Sequence, residues 1–351
     1  MEAAGIVYAT SAHHLDHIAP LCLLLDLPLI VTDPAIYVQA TAYYPQLIIH
    51  EVDELHLIDF IAKRFSVLIS CLPACLLSKI FLTLEHLYGK KITSIWCPHG
   101  SSDKGYHFAG KIGLQEERYA FIYGQKMRDF FREKNIFPNL RETISVGNYR
   151  HSYYTNVKPL YMGIFDSKIQ SQFSEKKPLI LYAPTWNDEF QSHSILEIAP
   201  DLIENLPNNY NLLIKIHPNV SIQQSLQIER MIDTYQHRPN IGFLTDFPLI
   251  YPILDQTSIY VGDRSSIGYD FLTYNRPMLF IDASANHPLN RCGITIHPDS
   301  IDEFYDILQD HLLEDPAPFE QVRSDLCAYT FDPLSDKATI KSSFNKLLHF
   351  S

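Results

Sequence analysis

Short apolar runs alternate with helical patterns along most of this chain, and that alternation constrains the fold more than any other feature. Strand-length apolar runs fall at residues 5–9, 28–32, 46–50, 66–70, 94–97, 120–123 and 143–146, and helical patterns intervene, the best at 74–88 and 126–134. A second series follows the polar run SQFSEKKP at 171–178. Its strands are expected at 179–182, 212–216, 241–244, 259–261, 278–281 and 293–296, with helices over 195–206, 222–235, 301–312 and 338–348. Strands alternating with helices predict a parallel sheet covered on both faces. The expected fold class is therefore α/β, with two doubly wound Rossmann-like domains facing a cleft. The first domain is expected over 1–150, a crossing with several aromatics over 151–178, and the second domain over 179–351.

At 351 residues the chain can bury two cores. A net charge of −12 argues against a nucleic-acid partner, which requires a basic face. The six cysteines include no CxxC pair and lie mostly in apolar surroundings, as small hydrophobic side chains in a reducing compartment do. The first ten residues, MEAAGIVYAT, lack the basic-then-apolar pattern of a secretory signal. Residues 65–84 carry one charge, Lys79, but Pro73 and three serines interrupt them, so a strand, turn and helix are expected there and not a membrane span. A cytoplasmic protein follows from these readings.

In doubly wound sheets, ligands sit beyond the carboxyl ends of the strands, and the chemistry-bearing residues fall there. The stretch 259–282 reads as a strand, a turn at Gly262-Asp263-Arg264, and a short helix opened by Ser265 and Ser266, with Asp270 behind them. Unpaired N–H groups and two hydroxyls at such a place suit a phosphate, although Ser265 or Asp263 could simply cap the helix. Arg276 and Arg291 are candidate phosphate clamps. Lys215 and His217 end the strand at 212–216 and, two residues apart, share a face, so both could donate to a diphosphate. His99 follows the strand at 94–97 and has a pKa range suited to a general base. Gly100, next to it, permits unusual backbone angles. The run SAHHLDH at 11–17 offers His13 and His17 one helical turn apart. Two histidines and Asp16 fall short of a metal-ligand set, so no metal is expected, and His13 and His14 are read as lining the cleft.

Six segments in order, HGSSDKG at 99–105, GNYR at 147–150, YAPTW at 182–186, KIHPN at 215–219, DRSSIGYDF at 263–271 and NRPMLFID at 275–282, resemble the CDP-glycerol:poly(glycerophosphate) glycerophosphotransferase family. That family includes teichoic acid primases and polymerases. The resemblance implies a GT-B-like architecture and a transferase that moves a polyol phosphate, glycerol phosphate first, from a CDP-activated donor to an acceptor hydroxyl with release of CMP. It implies His99 as catalytic base and a catalytic role for His217 at the donor's diphosphate. Lys215, Ser265, Ser266, Arg276 and Arg291 would bind donor phosphate, and Asp263, Asp270, Lys104, Arg150, His13 and His14 would line the cleft. No cofactor is implied. The partners implied are a CDP-polyol and a polyol-phosphate or glycan acceptor; a lipid-linked acceptor would require peripheral contact with the inner face of the cell membrane. Arg291 resembles the arginine of a family Arg-Gly pair.

The sequence also departs from the family's pattern. Asn187 stands where relatives carry arginine, Ser152 where they carry aspartate, Tyr149 and Ser102 where they carry proline. Two other readings stay open on the sequence: a nucleotide-sugar glycosyltransferase or UDP-sugar epimerase of the same architecture, and a non-catalytic nucleotide-binding protein.

Overall fold

The computed structural model describes residues 2–102, 113–185, 195–282, 287–312 and 317–350. They form two compact units, unit 1 comprising Met1–Asn156 with Ala328–Ser351 and unit 2 comprising Val157–Cys327.

Unit 1 is built on a seven-stranded parallel sheet of order β3-β2-β1-β4-β5-β6-β7. Its strands are β1 Ala3–Val7, β2 Leu29–Val31, β3 Ile49–Glu51, β4 Val67–Ser70, β5 Thr93–Trp96, β6 Tyr119–Ile122 and β7 Glu142–Ser145. Every residue of β1, β4 and β6 is buried, as expected of strands covered on both faces. Gly5 shows why the helix Leu15–Leu25 can lie against β1: a Cβ there would meet Cys22 Sγ at 2.4 Å and Ile18 at 2.6 Å. The segment 65–84 resolves into β4, a 3-10 turn at Ala74–Leu77 and the start of the helix Ser78–Tyr88. Among the described residues, no helix is long and apolar enough to cross a membrane.

Unit 2 carries a six-stranded parallel sheet of order β10-β9-β8-β11-β12-β13. The strands are β8 Leu179–Ala183, β9 Asn211–Lys215, β10 Ile241–Leu244, β11 Thr257–Gly262, β12 Met278–Ile281 and β13 Ile294–Ile296. One face of this sheet packs on the helices Ile195–Glu204, Ser225–Tyr235 and Phe304–Leu312 through Ile198, Leu202, Ile228 and Phe304. Each sheet reverses its strand order once, between β1 and β4 in unit 1 and between β8 and β11 in unit 2. These switch points open a crevice at the carboxyl ends of the strands.

All thirteen expected strands are present, with ends shifted by at most a few residues. The crossing, in contrast, is a helix, Tyr149–Lys168, that bends at Val157. Pro159 accounts for the bend, because it lacks an N–H and its ring crowds the carbonyl one turn earlier. The carboxyl-terminal boundary also differs from the expected one. Residues 328–351 pack on unit 1, where Phe344 stacks on Phe121 at 6.4 Å and Lys337 and Lys341 both bind Asp26. An amphipathic stripe at Ile340, Phe344 and Leu347 announces a buried face but does not name the sheet that buries it.

Candidate functional site

Unit 1 gathers four histidines near its switch point. After β1 the chain turns through Ala12–His14 into the helix Leu15–Leu25, while Cys97-Pro98-His99 leaves the end of β5. The ring centroids of His13 and His14 lie 4.2 Å apart, and those of His99 lie 5.8 Å from His13, 5.0 Å from His14 and 6.5 Å from His17. Gly100, at φ 121°, occupies backbone space that favours glycine, as expected for the residue after His99.

A buried hydrogen-bond chain sets the position of His99. The Tyr123 hydroxyl donates to the Pro98 carbonyl at 2.7 Å, so its single proton is committed. The contact of 3.1 Å between the same oxygen and His17 Nδ1 therefore has the imidazole as donor. Tyr149, in turn, donates to the His17 carbonyl at 2.8 Å. Lys126, almost fully buried, donates to the Ser101 carbonyl at 2.7 Å and holds the loop just past His99.

The electrostatics of the cluster favour neutral rings. Burial pushes His14 and His17 well below the ordinary histidine range, with Arg150 adding to the effect on His17. Desolvation lowers His99 to about 4. Part of its ring faces solvent, and the water that reaches it works against the shift. The direction is what matters here: at neutral pH His99 carries a lone pair and can accept a proton.

Arg150 is not presented to a ligand. Its guanidinium is buried in an ion pair with Asp16, its Nε donates to the Asp16 carbonyl at 3.1 Å, and Tyr44 donates to the same carboxylate at 3.2 Å. Asp16, offered by the sequence as a metal ligand, is thereby committed to structure. Lys104 lies outside the described residues.

In unit 2, β8 lies between β9 and β11, so the segments that follow these three strands meet at the switch point. Register places Gly262 beside Ala183 and beside Phe280. Both Asp263 carboxylate oxygens accept the Thr185 amide, at 3.1 and 3.0 Å, tying the APT turn to the end of β11. Arg264 forks onto Asp282 at 2.8 and 3.2 Å, and Asn290 donates to the same carboxylate at 2.9 Å. The carboxyl ends of β11 and β12 are thus clamped together by a pair that the sequence reading did not single out.

His217 follows β9 as the cap of the short helix Pro218–Gln223. Its Nδ1 accepts the Asn219 amide at 3.1 Å. A neutral ring that accepts at Nδ1 carries its proton on Nε2, so the cap fixes His217 as a donor through Nε2. Lys215, two residues earlier at the end of β9, is half-buried.

Ser265 caps the next helix, its Oγ accepting the Ile267 amide at 3.2 Å, while Ser266 occupies the first helical position. That helix, Ser266–Phe271, has only six residues. Its dipole is correspondingly small, so side-chain donors matter more here than at the start of a long helix. Two expected site residues serve structure instead. Asp270 is buried and accepts from the Tyr251 hydroxyl at 3.0 Å. Arg276 precedes β12 and donates to the carbonyls of Asp255 and Thr257 at 2.8 and 2.7 Å, at the amino end of β11. Six strand residues, roughly 20 Å, separate it from Asp263, too far for one phosphate group. Arg291 is exposed on the 3-10 turn Leu289–Cys292. Asn187 lies outside the described residues.

Two parallel sheets, each with one strand-order reversal and polar side chains at the carboxyl ends beside it, define a GT-B-like double Rossmann protein. Residues 166–286, about a third of the chain, match the family described as CDP-Glycerol:Poly(glycerophosphate) glycerophosphotransferase. The match takes in YAPTW, KIHPN, DRSSIGYDF and NRPMLFID, while HGSSDKG and GNYR lie outside it.

A teichoic acid glycerol-phosphate primase of Bacillus subtilis (strain 168) is 31% identical over 107 residues, 30% of this chain and 26% of that protein. A teichoic acid poly(ribitol-phosphate) polymerase of Bacillus spizizenii is 26% identical over 176 residues, 48% of this chain and 27% of that protein. The matched stretch thus spans about a quarter of the length of these relatives. Among solved structures, the wall teichoic acid polymerase TagF superposes with a TM-score of 0.64 at 14% identity, covering 99% of this chain and 89% of that one. HepE of Anabaena in complex with UDP-glucose superposes at 0.56 with 10% identity over the whole of both chains. At such identities the two likenesses speak to the fold.

Proposed function

We propose that this chain is a transferase that moves a polyol phosphate, glycerol phosphate first, from a CDP-activated donor to an acceptor hydroxyl in the synthesis of a surface polymer. Unit 2 holds the diphosphate of the donor through Lys215, the Nε2 proton of His217 and the Ser266 hydroxyl. In unit 1, His99 takes the proton of the acceptor hydroxyl. The acceptor oxygen attacks the β-phosphorus, the bond from that phosphorus to the bridging oxygen breaks, and CMP leaves with the electron pair. Charge moves onto the departing phosphate, where Lys215 and His217 stabilise it more strongly than in the ground state. Transfer of this kind is chiefly positioning and charge stabilisation, so no cofactor is assigned.

The observation that carries the reading is the capping bond from the Asn219 amide to His217 Nδ1. The family match covers this histidine, and its capping bond leaves the ring a hydrogen-bond donor next to a lysine, as a diphosphate requires. Calorimetric titration with CDP-glycerol, CDP-ribitol, CDP and UDP-glucose tests it. The CDP compounds should bind, and Ser266→Ala should weaken them by about 1–3 kcal/mol, the scale of a hydrogen bond to a charged group. Binding of UDP-glucose alone would favour the nucleotide-sugar reading instead. A lipid-linked acceptor would bring the chain to the inner membrane face by peripheral contact.

Tyr123 enters this scheme as a positioning residue. Tyr123→Phe deletes the hydroxyl that joins His17 to the carbonyl preceding His99. Turnover should fall by roughly 10- to 100-fold, the scale of a small misplacement of a reacting group, with CDP affinity unchanged. Equal losses in turnover and CDP affinity would show instead a general loosening of the protein.

A further inference from the structure

The structure assigns a second property to the unit 1 histidines: we infer that His13, His14 and His99 form a three-nitrogen site for a divalent transition ion of the zinc class, and that the ion inhibits the transfer reaction. The inhibition rests on the proposed role of His99 as base; the binding does not.

Three observations carry the site. One ring nitrogen from each of the three histidines lies within 4.8 Å of the other two. Zinc–nitrogen bonds of about 2.0–2.1 Å in tetrahedral array place imidazole centroids about 5 Å apart. The centroids here are 4.2, 5.0 and 5.8 Å apart, scattered around that distance, and the rings of His13 and His99 lie at the surface, where they can turn to close the set. His14 itself is 4% exposed, so the protein fixes one ligand rigidly while the other two adjust.

The ligands arise from two places far apart in sequence. The adjacent pair His13-His14 comes from the turn after β1, and His99 from the loop after β5. Sequence spacing suggested Asp16 and His17 as company for His13, but Asp16 is bound to Arg150 and Tyr44, and His17 Nδ1 to Tyr123. Imidazole-rich sites suit zinc, copper, nickel and cobalt and give little to magnesium or calcium, which take oxygen ligands. Three protein ligands leave a coordination position open, as at zinc sites that bind a further small molecule. An ion held there occupies the His99 lone pair, the one that would receive the acceptor's proton. Ion and proton acceptance exclude each other.

Titrating the metal-free wild-type chain with Co²⁺ in the visible region, and with Zn²⁺ by calorimetry, tests the site directly. One ion per chain should bind, with the absorption of a four- or five-coordinate Co²⁺ centre. His13→Ala, at an exposed position, and His99→Ala should each weaken binding by more than the ~10- to 100-fold that loss of an outer-shell partner costs. His237→Ala in unit 2 should leave binding unchanged. Absence of binding, or binding that His13→Ala and His99→Ala both leave intact, overturns the site whatever the enzyme's activity. In the transfer assay with CDP-glycerol, Zn²⁺ should lower turnover, a chelator should restore it, and CDP affinity should not move. Zn²⁺ that raises turnover would overturn the inhibitory assignment.

Discussion

His99→Ala should lower turnover by about 10²–10⁴-fold, the range of general base catalysis, and leave CDP affinity nearly intact. Nothing in the proposed scheme brings His99 to the donor's diphosphate before reaction. His217→Ala should behave differently and damage CDP binding as well as turnover, because its Nε2 proton serves the diphosphate both before and during transfer. The pH dependence carries a second signature of His99. With its pKa lowered to about 4, the ring stays neutral and competent as pH falls through the ordinary histidine range near 6.5, and loses competence only as pH falls toward its own folded-state value. The acid limb of kcat/KM should therefore lie on the acid side of the ordinary histidine value. A limb at or above 6.5 would contradict the lowered pKa of His99. Loss of CDP binding in His99→Ala, with His217→Ala silent, would reverse the two roles.

Asp16→Ala should destabilise the chain by about 3–5 kcal/mol, the cost of leaving a buried charge without its partner. Both members of the Asp16–Arg150 pair are nearly inaccessible, at 7% and 6% side-chain exposure, so water cannot replace the lost carboxylate. Arg150 would keep its bond to the Asp16 carbonyl, which does not neutralise it. Urea denaturation should show the midpoint falling with little change in slope. Replacing both charges, as in Asp16→Leu with Arg150→Met, should recover part of the loss, because the pair's stabilisation is small compared with the penalty for breaking it. A loss below about 1 kcal/mol in Asp16→Ala would mean that the pair is solvated and interacts weakly, as surface pairs do.

Strands of all-apolar residues set between helical patterns are legible because burial on both faces leaves few choices of residue type. β12, MLFI, is found where expected because Pro277 before it and Asp282 after it mark its ends. The destination of a side chain is harder to read. Arg276 and Arg264 sit twelve residues apart in one motif-rich stretch, and sequence alone offers no reason to assign one to phosphate and the other to Asp282. The parallel register decides between them, by putting Arg276 at the amino end of the sheet and Arg264 at the carboxyl end. In the sequence Asp263 and Ser265 suit either ligand groups or caps, and both make the structural bonds that short polar side chains make at strand and helix ends.

The meeting of His99 with His13 and His14 was equally hidden. Eighty-five residues separate His14 from His99, and only the strand order β1-β4-β5 brings their loops to the same edge of the sheet. Tyr123 left one trace in the sequence, as the residue just past an apolar strand, where side chains tend to face a ligand-bearing edge. The pairing of Asp16 with Arg150 left none, because a buried ion pair across 134 positions has no local pattern.

The identity of the released nucleotide tests the central claim most directly. The wild-type chain is incubated with CDP-glycerol and a glycerol-phosphate oligomer as acceptor, and the products are separated by chromatography. Attack at the β-phosphorus predicts that CMP appears in step with acceptor elongation by one glycerol phosphate, and that His99→Ala slows both equally. Release of CDP, with both phosphates still on the nucleotide, would contradict phosphate transfer.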